Sequence, residues 1–184
     1  MALAEAMLTC LAEGPLTGYE LAKTFDTSIG FFWRADHQQI YRELKRLRGA
    51  GLVDAELVVQ QGRPNKSVYS ITEAGLARLL AWSRERSDPP SIKDDMMVKL
   101  YALDHVDLDA MRAQIADRLG LHRERLVLYR RIERRYAELD PADLGRCGKL
   151  LGLDLGIVYE SGWVQWCERA LERLDALAKA RPPR

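Results

Sequence analysis

The sequence predicts a mainly α-helical (α+β) protein built in two parts, and three observations carry the prediction. Apolar residues recur at helical spacing along most of the chain. A single pair of β-rich runs, Leu52 to Gln60 and Lys66 to Ile71, flanks a polar turn containing Gly62 and Pro64. The stretch Ser87-Asp88-Pro89-Pro90-Ser91 interrupts the periodicity and separates short elements from the long helices after it. The expected domains are therefore 1–87 and 88–184.

Composition limits what the two parts can be. Of the 184 residues, 47% are hydrophobic and 30% charged, which suits a globular protein rather than a disordered one. Lys and Arg number 28 against 27 Asp and Glu, so a uniformly basic nucleic-acid coat is excluded while a local basic patch is not. No apolar run reaches the roughly 18 residues a membrane span needs, so no membrane association is expected. The opening M-A-L-A-E-A-M-L lacks a basic region and carries Glu5, so no secretory signal is expected. Cys10, Cys147 and Cys167 are too widely spaced for a disulfide framework or a zinc site, which points to a cytoplasmic location. Cys10 shares an apolar stripe with Leu3, Met7 and Leu11, as a buried thiol would. His37, His105 and His122 share no spacing with Cys or carboxylates. With no nucleophile–base pattern and no phosphate-binding loop, no catalytic residues, metal or cofactor are expected, and the chain does not read as an enzyme.

In the first domain, residues 2–13 form a helix that stops at Gly14-Pro15. Thr17 caps a short helix carrying Tyr19, Leu21, Ala22 and Phe25, and a loop with Gly30 follows. Asp36 is the N-cap of a third helix that runs to Gly51, with Ile40, Leu44 and Leu47 as one narrow apolar stripe. The β-hairpin comes next. Thr72 then caps a fourth helix, Glu73 to Glu85, with Leu76, Leu79, Leu80 and Trp82 on its apolar side. Three helices, a hairpin and another helix make a winged helix-turn-helix, whose second close-set helix reads DNA.

The third helix has the chemistry for that role. Opposite its apolar stripe it collects Gln38, Gln39, Arg42, Lys45 and Arg46. Arg pairs bidentately with guanine and Gln with adenine in the major groove, whereas Lys mainly meets phosphate. Arg34, Arg42, Lys45, Arg46 and Arg48 outnumber Asp36 and Glu43, and the hairpin turn adds Arg63 and Lys66. Tyr41 lies at the border of the two faces, where it can pack, meet a phosphate, or both.

Three blocks in order resemble the PadR family of transcriptional regulators. They are Gly14-Pro15-Leu16-Thr17-Gly18-Tyr19-Glu20-Leu21-Ala22; Ile40-Tyr41-Arg42-Glu43-Leu44-Lys45-Arg46-Leu47 with Gly51-Leu52-Val53; and Gly62-Arg63-Pro64-Asn65-Lys66-Ser67-Val68-Tyr69-Ser70-Ile71-Thr72-Glu73-Ala74-Gly75. The helical remainder is similar to members with an extended C-terminal domain of the virulence-activator type. The resemblance implies a homodimeric repressor on a palindromic operator in double-stranded promoter DNA, often released by a small hydrophobic or phenolic effector. It also implies that Tyr19 and Tyr41 lie near the DNA backbone, that the third helix enters the major groove, and that Gly62–Lys66 forms the wing. The candidate DNA-binding residues are thus Tyr19, Gln38, Gln39, Tyr41, Arg42, Lys45, Arg46, Arg63 and Lys66.

The second domain reads as an all-α dimerisation domain. Ser91 and Asp94 resemble a capping box before a helix with Ile92, Met96, Leu100 and Leu103 on one face. Asp107 begins a longer helix whose one side holds Leu108, Met111, Ile115, Leu119, His122, Leu126, Tyr129, Ile132, Tyr136 and Leu139, ended by Asp140-Pro141. The last helix carries Leu150, Leu153, Ile157, Val164, Leu171 and Leu174 in a heptad-like stripe, interrupted by Glu160, that neighbouring helices or a second chain must cover; these six are the candidate dimerisation residues. Gly145, Gly148, Gly152 and Gly156 share another face of it. That face reads as close packing of a helix, room for a ring or ligand, or a weakly helical start. Trp33, Trp82, Trp163 and Trp166 read as core or interface residues more than as a pocket wall. Two rival functions stay open: a winged-helix module that binds an acidic protein, and a helical small-molecule binder with no DNA role.

Overall fold

A computed structural model describes residues 3–27, 35–60, 62, 65–89, 93–137 and 143–180. The chain separates into two units, Met1–Pro90 and Ser91–Arg184.

The first unit orders its elements as α1 (Leu3–Ala12), β1 (Leu16–Thr17), α2 (Gly18–Thr27), α3 (His37–Gly49), β2 (Val53–Val58), β3 (Lys66–Ile71) and α4 (Glu73–Trp82). Its core forms where apolar stripes of three helices converge. Met7, Leu8 and Leu11 of α1, Leu21, Ala22 and Phe25 of α2, and Ile40, Leu44 and Leu47 of α3 are all buried, with Val53 closing the group. Cys10 is buried in the same cluster, as its stripe predicts.

The ends of α3 follow local chemistry. Asp36 caps it, and Gln39 returns a bond to the Asp36 backbone, which completes a capping box. The helix stops two residues before the expected Gly51. Gly51 takes φ +70, and Gly51 and Leu52 donate to the carbonyls of Arg48 and Leu47. That is a Schellman ending, in which a left-handed glycine satisfies carbonyls the last turn leaves open.

The β2–β3 hairpin pairs antiparallel from Val53–Ile71 to Val58–Lys66. A third strand, β1, pairs Leu16 with Tyr69 and Thr17 with Val68, giving the order β1-β3-β2. Sequence periodicity could not show it, because two residues carry no period. Thr72 then accepts from the Gly75 N–H and donates to the Gly51 carbonyl at 2.8 Å, tying the start of α4 to the end of α3.

Two expectations for α4 change. It ends at Trp82, and its expected apolar side packs only through Leu79, half-buried against the core, while Leu76, Leu80 and Trp82 are exposed. The helix is anchored also through buried Gly75 and through Arg78, whose Nε donates to Glu5 of α1 at 2.9 Å. Glu5 is buried, so the contact neutralises a carboxylate that would be costly alone.

The second unit contains α5 (Asp95–Tyr101), α6 (Leu108–Ala137) and α7 (Leu144–Ala180). Asp94 caps α5 by accepting from the Met96 N–H; Ser91 and Ile92, placed with this helix by sequence, lie outside the described residues. Asp107 caps α6 as expected. The α6 and α7 helices form an antiparallel hairpin, crossed by Arg112–Asp175, Arg123–Glu168 and His122–Glu160. Met111, Ile115, Leu119, His122 and Tyr129 of α6 are buried along the seam, while Leu139 lies outside the described residues.

This seam covers much of the expected dimer stripe within the chain. Ile157 and Leu174 are buried within the single chain, Val164 and Leu171 pack against its second core, and Leu150 and Leu153 are half-buried. The partner of that stripe is α6. Glu160, which interrupts it, is buried and bonded to Nδ1 of His122, with Arg125 3.7 Å away. The His122 ring stacks on Trp163 at 4.9 Å, and Trp163 packs edge-on to Trp166.

The glycine stripe does not start a broken helix, because α7 is helical from Leu144. A Cβ at Gly156 would lie 2.9 Å from the Tyr129 ring, so that glycine makes room for an aromatic side chain. Around Gly148 and Gly152 a Cβ would meet nothing within 4 Å.

Arg118 donates to both Asp94 oxygens, at 2.5 and 2.7 Å, so its guanidinium, chiefly, holds the Asp94 carboxyl below the ordinary value of 3.8. A carboxyl lowered by folding stabilises the fold above its unfolded pKa and loses that contribution as pH falls through the folded one. Acid titration of the thermal midpoint should therefore show the second unit weakening below about pH 4. Asp94→Asn should be less stable at neutral pH and show a flatter acid dependence; an unchanged slope would exclude this pair as its source.

Candidate nucleic-acid interface

Burial of Ile40, Leu44 and Leu47 turns the opposite side of α3 outward. Gln38, Arg42 and Lys45 stand exposed there and, among the described residues, unpaired. They occupy adjacent positions on the helix surface, so the three side chains form one polar patch.

The remaining two polar residues of that face are engaged. The Gln39 side-chain oxygen accepts from the Asp36 N–H at 3.0 Å, and the Gln39 N–H donates to Asp36 at 2.7 Å. The Asp-x-x-Gln spacing carries the capping signal, although Gln39 also reads as a base-contacting amide. Arg46 donates through Nε and Nη2 to Glu43, at 2.6 to 3.0 Å. That carboxylate raises the Arg46 pKa further above its ordinary value. The i, i+3 spacing could have shown this pair, but the helix-face reading counts charges without pairing them.

Helix α2 supplies the next part. Thr17 and Glu20 cap it reciprocally: the Thr17 N–H and hydroxyl donate to Glu20 at 2.8 and 2.7 Å, and the Glu20 N–H donates back at 3.1 Å. The Thr17 N–H, then its hydroxyl, lower the Glu20 pKa, and the positive charge of Lys66 adds to that. Tyr19 follows on the first turn, 65% exposed. Tyr41 is half exposed, and its ring lies over Gly18, where a Cβ would stand 2.5 Å from Cε1. Packing and exposure thus coexist at Tyr41, and the absence of a side chain at residue 18 lets α2 and α3 approach.

The hairpin end forms the third part. Gly62 takes φ +73, and the Asn65 side chain accepts from the Gln60 N–H at 3.2 Å, bracing the turn. Lys66 is exposed at the first position of β3. Arg63 lies outside the described residues, as do Arg34, Gly30 and Trp33. The described arrangement offers exposed cations and amides on a rigid helix, an exposed tyrosine on each of two helices, and a basic hairpin. That combination suits a polyanion whose groove admits a helix. Among the described residues no group of three or more His, Cys, Asp or Glu could hold a metal, and no helix is long and apolar enough to cross a membrane.

Comparison with known proteins assigns families to both units. Residues 7–81 match the transcriptional regulator PadR-like family, and residues 92–175 match the virulence activator alpha C-term family. A Mycobacterium tuberculosis protein described as a probable transcriptional regulator is 37% identical, over 95% of this chain and 98% of its own. The fold is similar to that of Bacillus subtilis PadR solved with operator DNA, with a TM-score of 0.80 and 26% identity over 95% of this chain and 99% of that one. The same Bacillus protein has been solved with p-coumaric acid, at a TM-score of 0.72 and 26% identity over 95% of this chain and 96% of that one. The Vibrio cholerae virulence activator AphA superimposes with a TM-score of 0.75 and 33% identity over 95% of this chain and 99% of that one.

The tight approach at residue 18 generates a stability cycle. Gly18→Ala should lower the urea midpoint by the equivalent of about 1–3 kcal/mol, as overpacking does. In a Tyr41→Ala background the same change should cost much less; equal cost in both backgrounds would exclude the tyrosine contact.

Proposed function

The chain belongs to the PadR-like family of transcriptional regulators, and from that premise we propose that it acts as a homodimeric repressor on a palindromic operator in double-stranded promoter DNA. Residues 1–87 read the DNA and residues 88–184 hold the dimer. The observation that carries the reading is the outward patch of Gln38, Arg42 and Lys45 on a helix whose other side is fully buried. The side chains near the start of α3 reach base edges and the cations meet phosphates or guanine. Tyr19, Tyr41 and the wing with Arg63 and Lys66 contact the backbone beside the groove. Gln39 serves from the position set by Asp36, whereas Arg46 is engaged by Glu43.

The dimer surface we assign is the second apolar stripe of α7. Leu144, Leu151, Leu155 and Val158 are 60–87% exposed, at spacings that place them on one face, with open space at neighbouring Gly148 and Gly152. Solvated apolar area of this kind favours association. A small hydrophobic or phenolic molecule releases the operator, as suggested by the relative solved with p-coumaric acid. The protein works in the cytoplasm, by occupancy of promoters rather than by catalysis.

Binding-site selection on genomic DNA with the purified protein should return sequences with two-fold symmetry. Arg42→Ala with Lys45→Ala should then weaken operator binding roughly tenfold or more, with an unchanged circular dichroism spectrum. Retained affinity in that variant would remove α3 from the interface. Leu151→Glu with Leu155→Glu should sediment as a folded monomer, and a dimer in that variant would place the interface elsewhere.

A further inference from the structure

We propose that Glu43 is a positioning residue that keeps Arg46 out of sequence-independent phosphate contact, and so sets how much of the DNA affinity is non-specific. The proposal rests on the reading of α3 as the helix that faces DNA.

The geometry is specific. Both Glu43 oxygens accept from Arg46 Nε, at 3.0 and 2.9 Å, and Oε1 also accepts from Nη2 at 2.6 Å. The Nε and Nη2 edge is one a guanidinium can turn toward a phosphate, so the carboxylate occupies it in the phosphate's place. The Arg46 side chain is 60% exposed while that of Glu43 is 16% exposed, so the cation lies outward and the acid beneath it. Arg42 and Lys45 have no such acid among the described residues.

Position on the helix decides what a released Arg46 could do. It lies in the last turn of α3, whereas base edges are met by the N-terminal part of such a helix. A free guanidinium there adds a contact to any duplex without reading it. Each phosphate neutralised steepens the salt dependence of binding by about 0.9 in the logarithmic slope. Glu43 therefore removes one sequence-independent contact while the base-facing patch stays available.

The test uses the full-length protein and a labelled duplex of random sequence, titrated by fluorescence anisotropy across a salt series. Glu43→Gln keeps the side-chain shape and removes the charge. It should bind this duplex several-fold more tightly, with a slope steeper by about 0.9. In an Arg46→Ala background the same substitution should leave the slope unchanged. Arg42→Ala is the control for the underlying reading and should weaken binding. If neither Arg42→Ala nor Glu43→Gln alters binding, the assignment of α3 falls with the proposal. If Arg42→Ala weakens binding and Glu43→Gln does nothing, only the role of Glu43 falls. If Glu43→Gln steepens the slope equally without Arg46, the acid acts as a bare charge and the proposal is overturned.

Discussion

Ile40, Leu44 and Leu47 have no measurable exposure, and their burial against α1, α2 and β2 sets the rotation of α3 about its own axis. Burying each apolar side chain contributes about 1.5–3 kcal/mol, so the three together contribute roughly 5–9 kcal/mol as an upper bound. The Asp36 cap contributes about 1 kcal/mol. The exposed Glu43–Arg46 pair contributes roughly 0.3–0.5 kcal/mol. The core term is the largest, so the apolar stripe decides which residues α3 presents. The smaller terms then decide how individual side chains on that face are held.

The same hierarchy governs the helical unit in a different form. The α7 helix has two apolar faces rather than one. The face with Ile157, Cys167 and Leu174 packs into the chain's own core, while Leu144, Leu151, Leu155 and Val158 remain in solvent. Along the inner seam Glu160 meets His122, and Arg146 donates through Nη2 to the Tyr136 carbonyl at the end of α6, while its Nε and Nη1 are buried without a partner among the described residues. Such pairs oppose sliding of one helix along the other, because a one-turn shift would separate buried polar groups. Burial also raises the Cys167 thiol above its ordinary pKa. A rigid scaffold with one unsatisfied apolar face is the element the proposed dimer requires.

Most of the first unit was legible because its signals are local. Thr17, Asp36 and Thr72 cap the helices they precede, and the hairpin sits between the expected runs. The two-residue β1 was not legible, since its existence depends on Tyr69 and Val68 arriving beside it. The apolar side of α4 was misjudged for a similar reason. Leu76 and Leu80 have the right spacing, but the packed positions are Leu79 and Gly75, and no hydrophobicity pattern marks the glycine. At the candidate interface, residue type and helix face were readable, whereas the engagement of Gln39 and Arg46 was not. A carboxylate three positions away is a cap, a clamp or a solvated charge depending on rotamer, and rotamer depends on packing.

The sequence by itself determined the two-part division, the helix order, the basic hairpin and the outward face of α3. Each of these follows from spacing along the chain and from the preference of particular side chains for caps and turns. Only the tertiary structure decided which of the two apolar faces of α7 is internal. Both faces carry leucines at helical spacing, and hydrophobicity says that a face will be covered, not by what. The antiparallel return of α7 along α6 places Met111, Ile115 and Tyr129 against one of them. The selection was therefore made by complementary packing between segments distant in sequence, to which periodicity within a single helix is blind.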